Sequence, residues 1–422
     1  MITNNYIHRR IENYAFDHDL TGRHMVFLAG PRQTGKTMLA RHWLKKKQCD
    51  SLYFNWDDIT VRRLYYQDSR FFESPARTLG INDPWIVFDE IHKQKLWRDM
   101  LKGAYDNFNA DFRFLITGSA RLDLFRKSGD SLVGRYNMFH LFPLNISELV
   151  GLPASSSFII DNDFAHFNRD FIETLSFRLS PEILEAYKNL EHFGPFPEPL
   201  LKQKLRFSRK WHSDYLTLLI REDLRDISRI VELDKIENLL LLMPDRLTSP
   251  LSMASLGREL EAAHTTVKNW LEQLKKLYLL FSVHPWSKKI SRGLKKEKKW
   301  YFIDWYYAPE GGAKLENMVA ANLYRYCHSL TDIGYGTFKL YYVRTLDKKE
   351  IDFLIVRDNV PVMAIEVKTG DMALSSVLKN RSKWFKDTPT IGVQLVNRRN
   401  VFKKYPDNTW VISVERFLSI LI

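Results

Sequence analysis

The feature that most constrains this chain is Met25-Val26-Phe27-Leu28-Ala29-Gly30-Pro31-Arg32-Gln33-Thr34-Gly35-Lys36-Thr37, a short apolar run broken by a glycine-bounded loop and followed by a helical pattern. Gly30, four residues, then Gly35-Lys36-Thr37 is the spacing of a P-loop. Glycines let backbone N–H groups turn inward on a chain of phosphates, and a helix beginning near Lys36 adds its positive end. In this reading Gly30, Pro31, Arg32, Gln33, Thr34, Gly35, Lys36 and Thr37 cradle ATP, with Lys36 on the β/γ-phosphates and Thr37 on Mg²⁺. The setting agrees: residues 26–29 are strand-like, and Met38, Leu39 and Trp43 offer an apolar helical face. Strand, loop and helix in that order commit the chain to an α/β core.

A parallel sheet covered on both faces reads as continuous apolar strands, with ligands beyond their carboxyl ends. Residues 51–55 fit a second strand ending near Asp57-Asp58. A third, Trp85-Ile86-Val87-Phe88, runs straight into Asp89-Glu90. Asp89 is placed to coordinate Mg²⁺ through water and Glu90 to polarise an attacking water, which favours hydrolysis over phosphoryl transfer to a second substrate. A fourth strand over residues 112–117 ends in Thr117-Gly118-Ser119, whose hydroxyls suit a water or a γ-phosphate; a simple turn is the alternative. Arg135 precedes a fifth strand over residues 136–141. An arginine there can reach the nucleotide of a neighbouring subunit, which would imply a homo-oligomer, and a surface salt bridge is equally compatible. Residues 6–20 read as a helix packed ahead of the loop strand.

These residues, with Pro143-Leu144-Asn145-Ile146-Ser147-Glu148, resemble the AAA-type ATPases of bacteria and archaea, and more narrowly the group fused to a C-terminal domain of unknown function. The resemblance covers nearly the whole chain. It implies ATP and Mg²⁺ as cofactors and a five-stranded parallel sheet of order 5-1-4-3-2. Such relatives tend to carry a glycine pair before a Phe-Pro element, where this chain has Gly194-Pro195, so no nucleotide-sensing role is assigned to that segment.

At 422 residues the chain exceeds one core, and two to four domains are expected. Its net charge of +13 and pI near 9.4 favour an acidic partner, nucleic acid or an anionic surface. No uncharged run approaches the ~18 residues of a spanning helix, and the N-terminus has no apolar signal core, so neither a membrane nor secretion is expected. Cys49 and Cys327 stand far apart with no CxxC, which supports neither a disulfide framework nor zinc and fits a cytoplasmic location.

Residues 151–200 read as a lid or linker, and residues 204–243 as helical, with Arg221-Glu222-Asp223-Leu224-Arg225 on a solvated face. From Ser252 the pattern is helix, turn, helix, with Leu256 and Leu260 in the first and Val267, Leu271 and Leu274 in the second. Strands over 279–283 and 300–303 then flank a loop holding Lys288, Lys289, Arg292, Lys295, Lys296, Lys298 and Lys299 against Glu297. This is a winged-helix outline with a basic wing for phosphates, and Thr265, Thr266, Lys268 and Asn269 could face a groove. A protein–protein spacer is the other use of such a unit.

The last segment starts with an amphipathic helix over 311–323, followed by strands over 339–343, 350–356 and 362–367. Asp352 lies on the second of these strands and Glu366-Val367-Lys368 at the end of the third, the core pattern of the PD-(D/E)xK nuclease superfamily. Residues 366 and 368 of a strand share a face, so a carboxylate and an ammonium meet where Asp352 can reach from the next strand. Asp352 and Glu366 would bind Mg²⁺, and Lys368 would hold the water or the phosphorane charge; Glu316, one turn into the leading helix, matches the position where many of these nucleases supply another acidic metal ligand. A nuclease fold that only binds is the alternative.

The expected architecture is α/β. It comprises an AAA-type P-loop core (1–150), a helical lid or linker (151–245), a winged helix (246–308) and a restriction-endonuclease-like domain (309–422). The expected function is Mg²⁺-dependent ATP hydrolysis governing a half that binds nucleic acid, DNA ahead of RNA, and that carries the residues to cleave it. The competing reading is an ATP-dependent switch or adaptor. A small-molecule kinase is disfavoured by Glu90 and by the lack of an acceptor pocket.

Overall fold

The computed structural model describes residues 6–118, 122, 132–153, 158–160, 179–225, 232–287, 297–344, 349–370, 372–385, 388 and 390–422. These form two compact units, Met1–Pro143 and Leu144–Ile422. The expected Ser119, residues 154–157 of the expected lid or linker and Lys288, Lys289, Arg292, Lys295 and Lys296 lie outside the described residues.

In the first unit, β1 (Met25–Ala29), β2 (Tyr53–Asn55), β3 (Trp85–Asp89), β4 (Arg113–Thr117) and β5 (Tyr136–His140) pair in the order β2-β3-β4-β1-β5, all parallel. This is the order that the AAA resemblance implies. Strands β1, β3 and β4 are buried along their whole length, as sheet interiors covered on both faces must be. Helix α1 (Lys36–Lys46) follows the glycine loop and packs on β3 and β4 through Leu39, Ala40, Trp43 and Leu44. Met38, expected on that face, is 60% exposed: one residue from Leu39 is a turn of about 100°, so the two cannot share a narrow stripe. The helix expected over 6–20 is two single turns, Glu12–Ala15 and His18–Thr21, because Asp17 takes an extended conformation and caps the second through Asp19 N. The second strand begins only at Tyr53, after a 3₁₀ turn at Asp50–Leu52.

In the second unit, α2 (Leu205–Leu218) runs into a π-helical turn, Leu219–Leu224. Arg221 there pairs with Asp234 and Glu237, while Asp223 and Leu224 are buried, so the stretch is only half a solvated face. Helices α3 (Met253–Glu259) and α4 (His264–Lys276), with the residue that follows α3, bury Leu256, Leu260, Val267, Leu271 and Leu274, each contributing roughly 1.5–3 kcal/mol. They share one core with Trp211, Tyr215 and Leu219 of the preceding helical stretch.

The sheet of this unit has eight strands, in the order Phe402–Tyr405, Thr409–Ser413, Ile391–Val396, Val360–Lys368, Glu350–Arg357, Phe338–Arg344, Leu280–Pro285 and Lys299–Phe302. Strands β6 (Leu280–Pro285) and β7 (Lys299–Phe302) form an antiparallel pair. Next come α5 (Gly312–Asp332), β8 (Phe338–Arg344), β9 (Glu350–Arg357) and β10 (Val360–Lys368). The β9–β10 hairpin turns on Asp358 and Asn359, both at positive φ, the residue types a two-residue primed turn selects. Strands β11 (Ile391–Val396), β12 (Phe402–Tyr405) and β13 (Thr409–Ser413) complete the far side, with β11 buried throughout. Because His284 and Pro285 of β6 pair in parallel with Tyr341 and Tyr342 of β8, a single sheet runs across the boundary expected at 308.

Candidate functional site

Two sites emerge, one in each unit. In the first, Gly30, Gln33 and Gly35 all adopt positive φ, which turns successive N–H groups of the 30–37 loop to one side. Gly30 is obligatory, because a Cβ there would lie 2.4 Å from the Leu141 carbonyl oxygen. The Lys36 ammonium folds onto the loop, donating to the carbonyls of Gly30 (3.0 Å) and Pro31 (2.5 Å). Burial pulls its pKa down to about 8, against the raising effect of Glu90 and Asp89.

Asp89, at the end of β3, is 2% exposed and accepts three hydroxyls: Thr37 (2.8 Å), Tyr53 and Thr117. The Thr37 hydroxyl and the Asp89 carboxylate are hard oxygen donors side by side, the chemistry Mg²⁺ takes. Thr117, expected to orient water, instead donates to Asp89. Glu90 sits in the left-handed region (φ 58°, ψ 25°), fixed by its N–H on the Thr117 carbonyl. Its Oε2 is buried, accepts no hydrogen bond and lies 3.4 Å from His92 Nε2 and 3.9 Å from Lys93 Nζ. Burial, then the charge of Asp89, push its pKa up, which suits a general base.

Sequence reasoning missed Arg9. Its buried guanidinium donates to the carbonyls of Thr34 in the loop (2.6 Å) and of Phe142 beyond β5, bracing the loop from behind. Nothing in Arg9-Arg10 distinguishes it from a solvated basic pair. Arg135 lies at the amino end of β5, across the length of the sheet from the loop, and grips Asp106 through two hydrogen bonds (2.7 and 3.2 Å). It adds nothing to the phosphate site of its own chain.

The second site lies where β7, α5, β9 and β10 meet. Glu366 and Lys368 alternate along β10 and form an ion pair at 2.8 Å. Asp352 reaches across from β9 to accept the Val367 N–H at 2.8 Å. Glu316 of α5 accepts the Tyr301 hydroxyl at 2.7 Å and faces Lys299 Nζ at 3.5 Å. Lys299 also pairs with Glu350 of β9. Burial first, with the surrounding carboxylates adding to it, raises the pKa of Glu316 and of Glu366 to about 7, and burial raises that of Asp352. Among the described residues no three His, Cys, Asp or Glu side chains form a ready metal-ligand set. Asp352 and Glu366 are close enough for the charge of the first to raise the pKa of the second, while Glu316, expected as a further ligand, faces Lys299.

Lys299 therefore departs from the basic-wing expectation. It is 1% exposed and points into the carboxylates, and its neighbour Lys298 is engaged with Glu272 at 3.0 Å. At the start of α4, Thr265, Lys268 and Asn269 are exposed and Thr266 is half-buried. The segment around Asn145 is structural: its side chain and Glu148 form a capping box, and Glu148 makes a buried pair with Arg325 of α5 at 2.9 Å.

One further constellation was not legible in the sequence. His212 lies 3.1 Å from Asp304 and 3.3 Å from the Ser208 hydroxyl, the composition of a nucleophile triad. All three are buried, and His212 Nδ1 sits 2.7 Å from the Ser208 carbonyl, so the imidazole is a packing element. Gly194 belongs to it: a Cβ there would meet Asp304 Oδ1 at 2.4 Å.

Residues 22–150 match the family model described as AAA domain, residues 184–305 a domain of unknown function (DUF8612) and residues 311–417 another (DUF4143). Two uncharacterised proteins of Methanocaldococcus jannaschii are similar, at 26% identity over 86% of this chain and 79% of the relative, and 24% over 87% and 80%. An uncharacterised protein of Mycobacterium tuberculosis is 24% identical over 66% of this chain and 54% of its own length. Among solved structures, the Aeropyrum pernix Orc1 protein in complex with DNA aligns at 13% identity and a TM-score of 0.29, covering 71% of this chain and 88% of that one. Drosophila ORC bound to DNA aligns at 16% and 0.27, covering 68% and 89%. Likenesses this weak carry no argument. The chain thus carries a match to an AAA domain followed by matches to two domains of unknown function.

Proposed function

We propose that the chain hydrolyses ATP with Mg²⁺ at the 30–37 loop, and that this cycle governs a C-terminal half built to bind nucleic acid, DNA ahead of RNA, and to cut it. The observation that carries the first part is the convergence of Lys36, Thr37, Asp89 and Glu90 at the carboxyl end of one parallel sheet. The loop amides and Lys36 would hold the β/γ-phosphates, Lys36 giving up its loop carbonyls to do so. Thr37 and Asp89 would hold Mg²⁺, which neutralises phosphate charge when bound. Glu90 would take the proton of the attacking water, its raised pKa matching it to that task. Arg135 would act only on the site of another copy, exchanging Asp106 for a phosphate, as an arginine finger does.

For the second part, the exposed start of α4, the charge of +13 and the face shared by Asp352, Glu366 and Lys368 support a winged helix joined to a PD-(D/E)xK-like fold. Asp352 and Glu366 would hold Mg²⁺ and Lys368 would orient the water. An adaptor with a silent site is favoured by one fact: Glu316, Glu350 and Glu366 already face ammonium groups. Cleavage assays with Mg²⁺ or Mn²⁺ and ATP, on single- and double-stranded DNA and RNA, separate the readings. Cleavage abolished by Asp352→Ala and Glu366→Ala, and reduced by Lys368→Ala without loss of metal, supports the nuclease. No cleavage of any substrate, or cleavage surviving all three substitutions, leaves the adaptor.

A further inference from the structure

We infer that Lys299 is the resident cation of the C-terminal carboxylate cluster, a positioning residue that holds Glu316 and Glu350 where a second metal ion would otherwise sit. The inference rests on the reading of that cluster as a one-metal site. It makes the site composite, because Lys299 and Tyr301 lie on β7, outside the matched region 311–417 that supplies the carboxylates.

Four carboxylates enter the cluster: Glu316 from α5, Glu350 and Asp352 from β9, and Glu366 from β10. Among the described residues two ammonium groups meet them, and the exposed Arg344 guanidinium lies 3.8 Å from Glu350. Lys368 is taken up by its strand neighbour Glu366. Lys299 is almost wholly buried and bridges two elements that are far apart in sequence, facing Glu316 at 3.5 Å and pairing with Glu350. Tyr301, two residues along the same strand face, fixes the other side of Glu316 with its hydroxyl. An uncompensated ammonium is strongly disfavoured in a protein interior, so a lysine buried at this point is there for the charge it meets. A single ammonium with three donors satisfies two glutamates at once, which a divalent ion would otherwise have to do.

The strand position explains how the residue gets there. Strand β7 ends the order of the eight-stranded sheet, paired with β6 and bridged at Lys299 to Pro250, and β6 joins β8. The continuity of that sheet carries Lys299 over the amino end of α5, where Glu316 occupies the first turns.

The test uses the full chain and Mn²⁺ alone as probe, counted by electron paramagnetic resonance. Lys299→Met keeps the apolar stem and removes the charge. With Lys368 then the one ammonium, and the exposed Arg344 the one guanidinium, against four carboxylates of the described cluster, this variant is expected to bind one more Mn²⁺ per chain than wild type, or to bind Mn²⁺ at least about ten-fold more tightly. Adding Glu316→Gln and Glu350→Gln should abolish that gain. Should Lys299→Met alone fail to fold, the charge-matched Lys299→Met/Glu350→Gln chain is expected to fold and to show the gain through Glu316. A merely structural lysine predicts no gain. Unchanged or weaker Mn²⁺ binding in a folded variant, or failure of the charge-matched variant to fold, overturns the assignment. Wild-type chain that binds no Mn²⁺ would sink the one-metal reading and leave this one standing if Lys299→Met gains an ion.

Discussion

A buried lysine whose ammonium is hydrogen-bonded to loop carbonyls is poised between two protonation states, and Lys36 is that residue. Its pKa is lowered to about 8 by burial, whereas a bound triphosphate stabilises the ammonium and must raise it. ATP affinity should therefore hold below about pH 7.5 and fall as pH rises through 8, with net proton uptake on binding in that range. Calorimetry in buffers of different ionisation enthalpy measures the uptake; a flat affinity from about pH 7 to 9 would refute the lowered pKa. Arg9 yields a second prediction. Arg9→Ala leaves the Thr34 and Phe142 carbonyls without their buried donor, a cost of about 1–3 kcal/mol each where no water enters. ATP affinity should drop by about ten-fold or more and the unfolding midpoint should fall; an unchanged affinity would mean the loop needs no brace. Lys36, Thr37, Asp89 and Glu90 were legible because their chemistry is local: each sits within a few residues of a strand end. Arg9 was not, because its partners lie 25 and 133 residues away.

At the level of elements, apolar runs marked the parallel strands well, since strands buried on both faces leave no other pattern. Strand β11 has the same signature, but it follows the D…ExK motif in a stretch with no chemistry to single it out. Periodicity failed where a single residue rules: Asp17 breaks an otherwise helical stretch by capping, and Met38 misses the buried face by one position. It failed most at the wing, where charge alone made Lys299 look solvated. Burial of Lys299 is set by its tertiary partners, Glu316 and Glu350, which no local pattern shows. The wing prediction changes accordingly. Neutralising Lys295, Lys296 and Lys298, with Lys299 kept, should weaken nucleic-acid binding and flatten its salt dependence by about 0.9 in slope for each phosphate that is no longer neutralised. An unchanged slope would direct the wing to another partner. Including Lys299 would confound the experiment by unbalancing the carboxylate cluster.

The whole molecule joins a nucleotide unit, whose sheet order the AAA resemblance implied, to a unit in which one sheet runs across the boundary expected at 308. The fused sheet was illegible because one short parallel pairing, His284 and Pro285 with Tyr341 and Tyr342, makes it. Assembly is tested through Arg135, which is paired with Asp106 and remote from its own loop. Inactive Arg135→Ala chain mixed with Lys36→Ala chain should recover activity at shared sites. No rescue in confirmed mixed oligomers would make Arg135 a structural residue. The central claim is that Glu90 activates water on ATP held by Lys36. Its most direct test is single-turnover ATP hydrolysis with Mg²⁺, measured beside equilibrium ATP binding, for wild type, Lys36→Ala and Glu90→Gln. The account predicts that Lys36→Ala loses binding, whereas Glu90→Gln binds as wild type does and hydrolyses slower by about 10² or more. Equal hydrolysis rates in Glu90→Gln and wild type would contradict it.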